Sequence, residues 1–230
     1  MFKLLLAACC LLLAVQSAPQ KSYPANNYYF AFDTTSDVSA FMGQFYPQFP
    51  SGLFLVYSNG AVNTVGARNY QTANGYWVWP EALVQLQKDK DNEFGAFIAA
   101  CNFVAQGPLR SIWVDVTDTN AWGSDKGKNA ERLNAFLQSA VNAGLAVGVL
   151  ASKESSDAIL GSGVRFIPGT RVWYVLNDQQ PSLTGYTPIG GVAYPSAKQY
   201  ALNQTYAGVA HELLDLFPLI VSKDCRQSVQ

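Results

Sequence analysis

Three carboxylates stand where apolar strands end. Asp33 directly follows the aromatic run Tyr28–Phe32, Asp115 sits inside Ser111-Ile112-Trp113-Val114-Asp115-Val116-Thr117-Asp118, and Glu212 ends Val209-Ala210-His211-Glu212. An ionised group within an apolar strand loses several kcal/mol of hydration unless it is solvated or paired. Asp115 is therefore the acid that most needs a reason. It either works at a site or accepts hydrogen bonds from the backbone around it. Paired carboxyls are the chemistry of glycoside hydrolysis, with one acid protonating the leaving oxygen and a second facing it. Alternation places Trp113, Asp115 and Thr117 on one face of that strand. A D-x-E pair would put two carboxyls there, but position 117 is Thr, whose hydroxyl is no general acid near neutral pH. Asp118 points to the opposite face if the strand continues. Glu81 follows a third strand and is either a mouth acid or a helix-start acid. His211, the only His, has no Ser or Cys nucleophile motif to serve and reads as structural. Trp79, Tyr174 and Gln199 are candidates for substrate contact. Rings such as Trp77, Trp79, Trp113, Trp173, Tyr174 and Tyr200 stack on sugars in some proteins but more often fill cores.

Such acids need a scaffold that gathers strand ends. Short apolar runs alternate with helical patterns: strands at Tyr28–Phe32, Leu53–Tyr57, Tyr76–Trp79, Ile112–Val116 and Leu145–Leu150. The helices read as Ser36–Phe45, Ala61–Ala73, Asp91–Gln106, Asn129–Ala143 and Ser152–Leu160. The third helix carries Phe94, Phe97, Ile98, Cys101 and Ala105 on one face. Arg171–Leu176, Gly191–Tyr194, Ala197–Ala201 and Gly208–Leu213 then read as strands without helices between them. Five strand–helix units require parallel strands, and the extra strands can close the sheet. An open doubly wound sheet is the alternative, but no glycine-rich phosphate loop follows the first strand. The expected fold is α/β, a single-domain TIM-like barrel, with its chemistry at the C-terminal strand ends.

The chain has 230 residues, 15 Lys+Arg against 16 Asp+Glu, and a charged fraction of 13%. With 49% hydrophobic residues, disorder is excluded, and the lack of a basic cluster argues against nucleic acid. Met1–Ser17 reads as a secretory signal peptide, with Lys3 ahead of the apolar run Leu4–Val15 and small residues before the cut. That run is shorter than the roughly 20 residues needed to span a bilayer, so a secreted protein without a membrane span is expected. Residues 18–27 form a short extension, 28–220 the barrel and 221–230 a tail. Loss of the leader removes Cys9 and Cys10. Cys101 and Cys225 then either form one disulfide, stabilising by about 3–5 kcal/mol, or Cys101 is buried as a small hydrophobe. Two thiols and one distant His do not make a metal site, and no cofactor is expected. Asn203-Gln204-Thr205 is the sole glycosylation sequon.

Ile112-Trp113-Val114-Asp115-Val116-Thr117-Asp118, with Trp122 following, resembles the central strand of the amoeba-type lysozymes of nematodes, relatives of glycoside hydrolase family 25. The likeness extends over essentially the whole mature chain. Tyr28–Asp33 resembles the family's first strand and Asn134–Val149 a helix and strand. Val172-Trp173-Tyr174 and Pro195-Ser196-Ala197-Lys198-Gln199-Tyr200 resemble two later strands. The resemblance implies a (β/α)5β3 barrel and hydrolysis of the β-1,4 bond between N-acetylmuramic acid and N-acetylglucosamine in bacterial cell-wall glycan; a monomer is expected. It matches Asp33 and Asp115 to catalytic acids, sets Glu212 near a last-strand Asp, and puts Thr117 where active members carry the general-acid Glu. Two roles follow. One is a hydrolase in innate defence or bacterial digestion whose acid has moved to Asp118, Glu81 or Glu212. The other is a silent homologue that binds glycans or signals in immunity. A storage or structural secretory protein is a third.

Overall fold

The computed structural model describes residues 28–46, 48–88, 90, 93–104, 109, 111–206 and 209–218, with the backbone alone at 28–29, 99–104, 205–206 and 209–218. The expected leader, the 18–27 extension and the 221–230 tail lie outside these residues.

Among the described residues nine strands and five α-helices follow in order: β1 (Tyr28–Thr34), α1 (Met42–Phe45), β2 (Ser51–Ser58), β3 (Ala61–Val62), α2 (Thr64–Gly75), β4 (Trp79–Val84), α3 (Glu93–Val104), β5 (Ser111–Asp115), α4 (Lys126–Asn142), β6 (Ala146–Ala151), α5 (Lys153–Ile159), β7 (Arg171–Val175), β8 (Ala197–Tyr206) and β9 (Val209–Pro218). The sheet order is β1-β9-β8-β7-β6-β5-β4-β2-β3, and a further β1–β2 pairing closes it on itself. Pairings from β1 through β2, β4, β5, β6, β7 and β8 are parallel, whereas β9 is antiparallel to both β8 and β1. Five strand–helix units followed by three strands make the expected (β/α)5β3 barrel.

Period-2 alternation sorts each strand's side chains into two layers. Ala31, Leu53, Leu83, Trp113, Leu150, Trp173 and Ala197 fill the interior. Their neighbours Phe32, Phe54, Ala82, Ile112, Val114, Val149, Val172 and Tyr174 face the helices. The helices pack closely because small residues sit at the contacts. A Cβ at Gly66 of α2 would lie 1.9 Å from the Leu55 carbonyl oxygen, so only glycine lets that helix rest on β2. The loops are pinned by buried amides: Asn69 Oδ1 accepts from the Val38 amide at 3.0 Å, and Asn129 Nδ2 donates to the Gly123 and Ile159 carbonyls at 2.7 and 2.9 Å. The second of these holds the loop after β5 against α5.

The sequence reading misplaced some edges. The third barrel strand is Trp79–Val84 rather than Tyr76–Trp79. Pro80 does not end it, because the ladder to β5 begins only at Ala82, beyond the position where the missing N–H would count. Ser36–Phe45 is reduced to a 3-10 turn, Ser39–Phe41, and one turn of α-helix. Ala61–Val62 pairs with β2 before Asn63 caps α2 by accepting from the Val65 and Gly66 amides. Gly191–Tyr194 is no strand. Gly190 and Gly191 both take positive φ, and an isolated bridge joins Ile189 to Val192.

Candidate active site

Asp33 lies two residues beyond Ala31 and Asp115 two beyond Trp113, so both face the barrel interior at the C-terminal ends of their strands. β2 and β4 stand between β1 and β5. Gln199, two beyond Ala197, is buried and level with Val175 at the end of β7. Glu212 is the cross-strand partner of Asp33, its side chain lying outside the described set. The backbone therefore brings four sequence-predicted positions to one mouth, the end at which barrel enzymes place their chemistry.

Asp115 is the best-defined group there. Its Oδ1 accepts from the Thr117 amide at 2.8 Å and from the Thr117 hydroxyl at 2.6 Å, while its backbone carbonyl accepts from Trp122 Nε1 at 3.3 Å. Burial pushes the carboxyl above its ordinary value and the Asp118 charge adds to this, against the two Thr117 hydrogen bonds. Thr117 is thus a donor to the acid and no acid itself. Asp118 is exposed, and its carboxylate accepts from the Asn120 amide at 2.9 Å, capping the turn Thr119–Ala121. A half-buried carboxyl with raised proton affinity, open to the mouth, can deliver a proton to a glycosidic oxygen in mildly acidic medium.

A raised folded pKa also has a stability consequence. The folded state holds the Asp115 proton to higher pH than the unfolded chain, so this group's contribution turns unfavourable as pH rises above the ordinary value of 3.8. Asp115→Asn is accordingly expected to melt higher than the parent at pH 7, with the gap closing as pH falls below that value. Thermal melts of both proteins across that range check it. A gap that widens towards acid would contradict burial as the dominant cause.

Other predicted residues lie elsewhere. Trp79 opens β4 at the N-terminal rim, opposite the mouth. Tyr174 faces the outer layer, where its hydroxyl donates to the Thr184 carbonyl at 2.7 Å and its ring meets Tyr186 with centroids 5.1 Å apart. Glu81 is neither a mouth acid nor a helix-start acid. It lies inside the barrel, 4% exposed, and accepts from the Ser111 hydroxyl and from Trp113 Nε1 at 2.9 Å. Asn203 is exposed with φ +55°, where the β8–β9 register slips. The Cys101–Cys225 bridge falls outside the described side chains, as does His211.

Two supports have no role assigned from the sequence. Trp122 clamps the Asp115 carbonyl and carries the Arg132 guanidinium over its ring at 5.5 Å. Arg171 lies two residues before Trp173, an inward position that alternation makes recognisable. Its guanidinium stacks over Trp113 at 4.7 Å, while Nε and Nη2 are buried without a hydrogen-bond partner among the described residues. Trp113 in turn meets Trp173 edge-on at 5.2 Å and occupies the space that a Cβ at Gly148 would take. Among the described residues no group of three His, Cys, Asp or Glu is placed to hold a metal ion. No helix among them is long and apolar enough to cross a membrane.

The profile of the family described as "Lysozyme-like protein 1" matches residues 25–200. Counting factor 45-1 of Dictyostelium discoideum is 31% identical over 106 residues, 44% of this chain and 34% of that protein. Lysozyme-like protein 2 of Caenorhabditis elegans is 24% identical over 104 residues, 42% of this chain and 37% of that protein. The matched segments thus span about a third of these relatives' length. A family 25 glycosyl hydrolase from Bacillus anthracis superposes with a TM-score of 0.61 at 13% identity, over 87% of this chain and 94% of that one. The modular Cpl-1 endolysin, solved with a peptidoglycan analogue, superposes with a TM-score of 0.57 at 13% identity, over 84% of this chain and 55% of that one. At such identities these likenesses show the shared barrel fold.

Proposed function

The chain belongs to the Lysozyme-like protein 1 family, and from that premise we propose that it is a secreted hydrolase of the β-1,4 bond between N-acetylmuramic acid and N-acetylglucosamine in bacterial peptidoglycan, serving defence or bacterial digestion. The observation that carries the reading is the mouth itself: Asp33 and Asp115 face inward at the same end of the barrel, and burial favours the protonated form of Asp115. In this scheme Asp115 protonates the leaving oxygen, Asp33 stabilises charge developing across the groove, and Gln199 contacts the sugar. The barrel likeness to a family 25 hydrolase and to an endolysin that binds a peptidoglycan analogue supports the substrate class.

Reducing ends released from purified peptidoglycan, followed from about pH 4 to 8, are expected to peak on the acid side, where Asp115 holds its proton. Asp115→Asn is expected to reduce the rate by about 10²–10⁴, the usual worth of a positioned acid, and Asp33→Asn to reduce it as well. Rates in both variants equal to the parent's would remove these residues from the chemistry. A second reading, recognition of the same glycan without cleavage, is favoured by Thr117 standing where active relatives are expected to carry Glu. It predicts retention on peptidoglycan with no reducing ends from the parent at any pH.

A further inference from the structure

We propose that the rim of the barrel opposite the mouth is a second glycan-contact surface, an aromatic platform for an uncharged β-linked polysaccharide. Two chain entrances meet there. Tyr46 precedes β2, Tyr76 and Trp77 precede β4, and Trp79 opens it, its amide donating to the Pro50 carbonyl at 2.7 Å. The Tyr76 ring lies against Gly43 of α1, where a Cβ would come within 3.0 Å of it. These large rings stay open to solvent, Tyr46 at 45%, Tyr76 at 48%, Trp77 at 84% and Trp79 at 48% exposure.

Trp77 is the telling residue. Its φ of +63° is a left-handed conformation that a bulky side chain adopts only at a conformational cost. Gly75, two residues earlier, would suit that geometry, yet the chain holds an indole there, almost wholly in water. Strain kept at an exposed aromatic points to a surface selected for contact.

Charge selects the partner. From Val38 to Pro80 the only charged residue is Arg68, and it pairs with Asp37 at 2.6 Å. Near these rings in the chain, Gln44, Gln48 and Asn74 are exposed amides. Phosphate-bearing lipid surfaces and nucleic acids are gripped by clustered Lys and Arg, whereas the ring-bearing segment 38–80 carries only the paired Arg68. Flat π surfaces flanked by neutral donors and acceptors instead suit the C–H faces, hydroxyls and acetamido groups of a neutral sugar chain. The identification of the polymer as an N-acetylhexosamine glycan rests on the proposed function, whereas the chemistry of the platform does not. Two contacts at opposite ends of one barrel would hold the protein on an insoluble wall by avidity.

The test is depletion of the full protein onto chitin, an uncharged β-1,4 polymer of N-acetylglucosamine, and onto purified peptidoglycan at high salt. Trp77→Gly and the double variant Tyr46→Ser/Tyr76→Ser are each expected to bind chitin about tenfold more weakly, the loss expected from removing ring contacts. Trp77→Gly should also melt about 2–4 °C higher through relief of the left-handed strain, which separates lost contact from lost folding. Hydrolysis is read separately as reducing-end release, so a parent without hydrolysis leaves the binding readout intact. Unchanged retention of Trp77→Gly would overturn the proposal. So would its loss of binding to anionic phosphatidylserine vesicles in place of chitin, or a shift from dimer to monomer in sedimentation. Chitin binding that emerges only after residues 219–230 are trimmed would assign the platform to the chain's own tail, and would overturn the proposal equally.

Discussion

Thr117→Glu is expected to raise the rate of reducing-end release from peptidoglycan by about 10²–10⁴ where the parent recognises the glycan without cleaving it, the contribution of a positioned general acid. Thr117 is exposed at the mouth, two residues beyond Asp115. Its hydroxyl and its amide both donate to Asp115 Oδ1. The substitution removes the hydroxyl donor but keeps the backbone one, so Asp115 stays oriented while a second carboxyl arrives beside it. Two carboxyls this close resist joint ionisation, which holds a proton on one of them into the working pH range. The groove then has the acid pair that glycoside hydrolysis uses. The assay is reducing-end release over about pH 4 to 8, with Thr117→Gln as the control that keeps the length and lacks the acid. A gain in Glu but not Gln would establish that the barrel retains a competent substrate groove. No gain in either would mean that the mouth does not present the bond to position 117.

Glu81→Ala is expected to destabilise the fold by about 3–5 kcal/mol, the cost of leaving one member of a buried charged group without its counterpart. Glu81 sits inside the barrel and accepts from Ser111 and Trp113. Its charge offsets the desolvation that otherwise works against the buried Arg171 guanidinium. Removing it strands two donors and leaves that cation over the Trp113 ring. The damage passes upward, because Trp113 shares its strand and face with Asp115. Urea unfolding of the variant measures the loss. The double variant Glu81→Leu/Arg171→Met should recover most of it, since apolar replacements of a buried charged group are often neutral or stabilising. Equal destabilisation in the double variant would show that packing, not charge, governs the barrel floor.

The acids at the mouth were legible in the sequence because strand alternation is a local rule. Once Trp113 is inside, Asp115 must be inside, and the parallel direction puts it at the chemical end. The roles of Glu81, Tyr174 and Trp79 were not legible, since each depends on where a strand begins or which layer a residue joins. Pro80 invites a strand end at Trp79, although its missing N–H falls below the first rung shared with β5. Moving that strand by three residues carried Glu81 from a rim into the core and left Trp79 at the opposite end. Tyr174 looked like a sugar platform, yet it alternates with the inward Trp173 and so packs outward against Tyr186.

The amino-acid sequence by itself determined the alternation of strands and helices, the barrel class, the family, and the pairing of Asp115 with Thr117 in place of Glu. The first two follow from periodicity and from neighbours one or two residues apart, the last two from the resemblance of ordered motifs to a known family. Only the tertiary structure decided that burial raises the proton affinity of Asp115, that Glu212 stands opposite Asp33, and that Glu81 and Arg171 share a closed interior. Desolvation and register are set by elements far away in the chain. A carboxyl's proton affinity depends on the walls that exclude water from it, and those walls exist only once the sheet has closed.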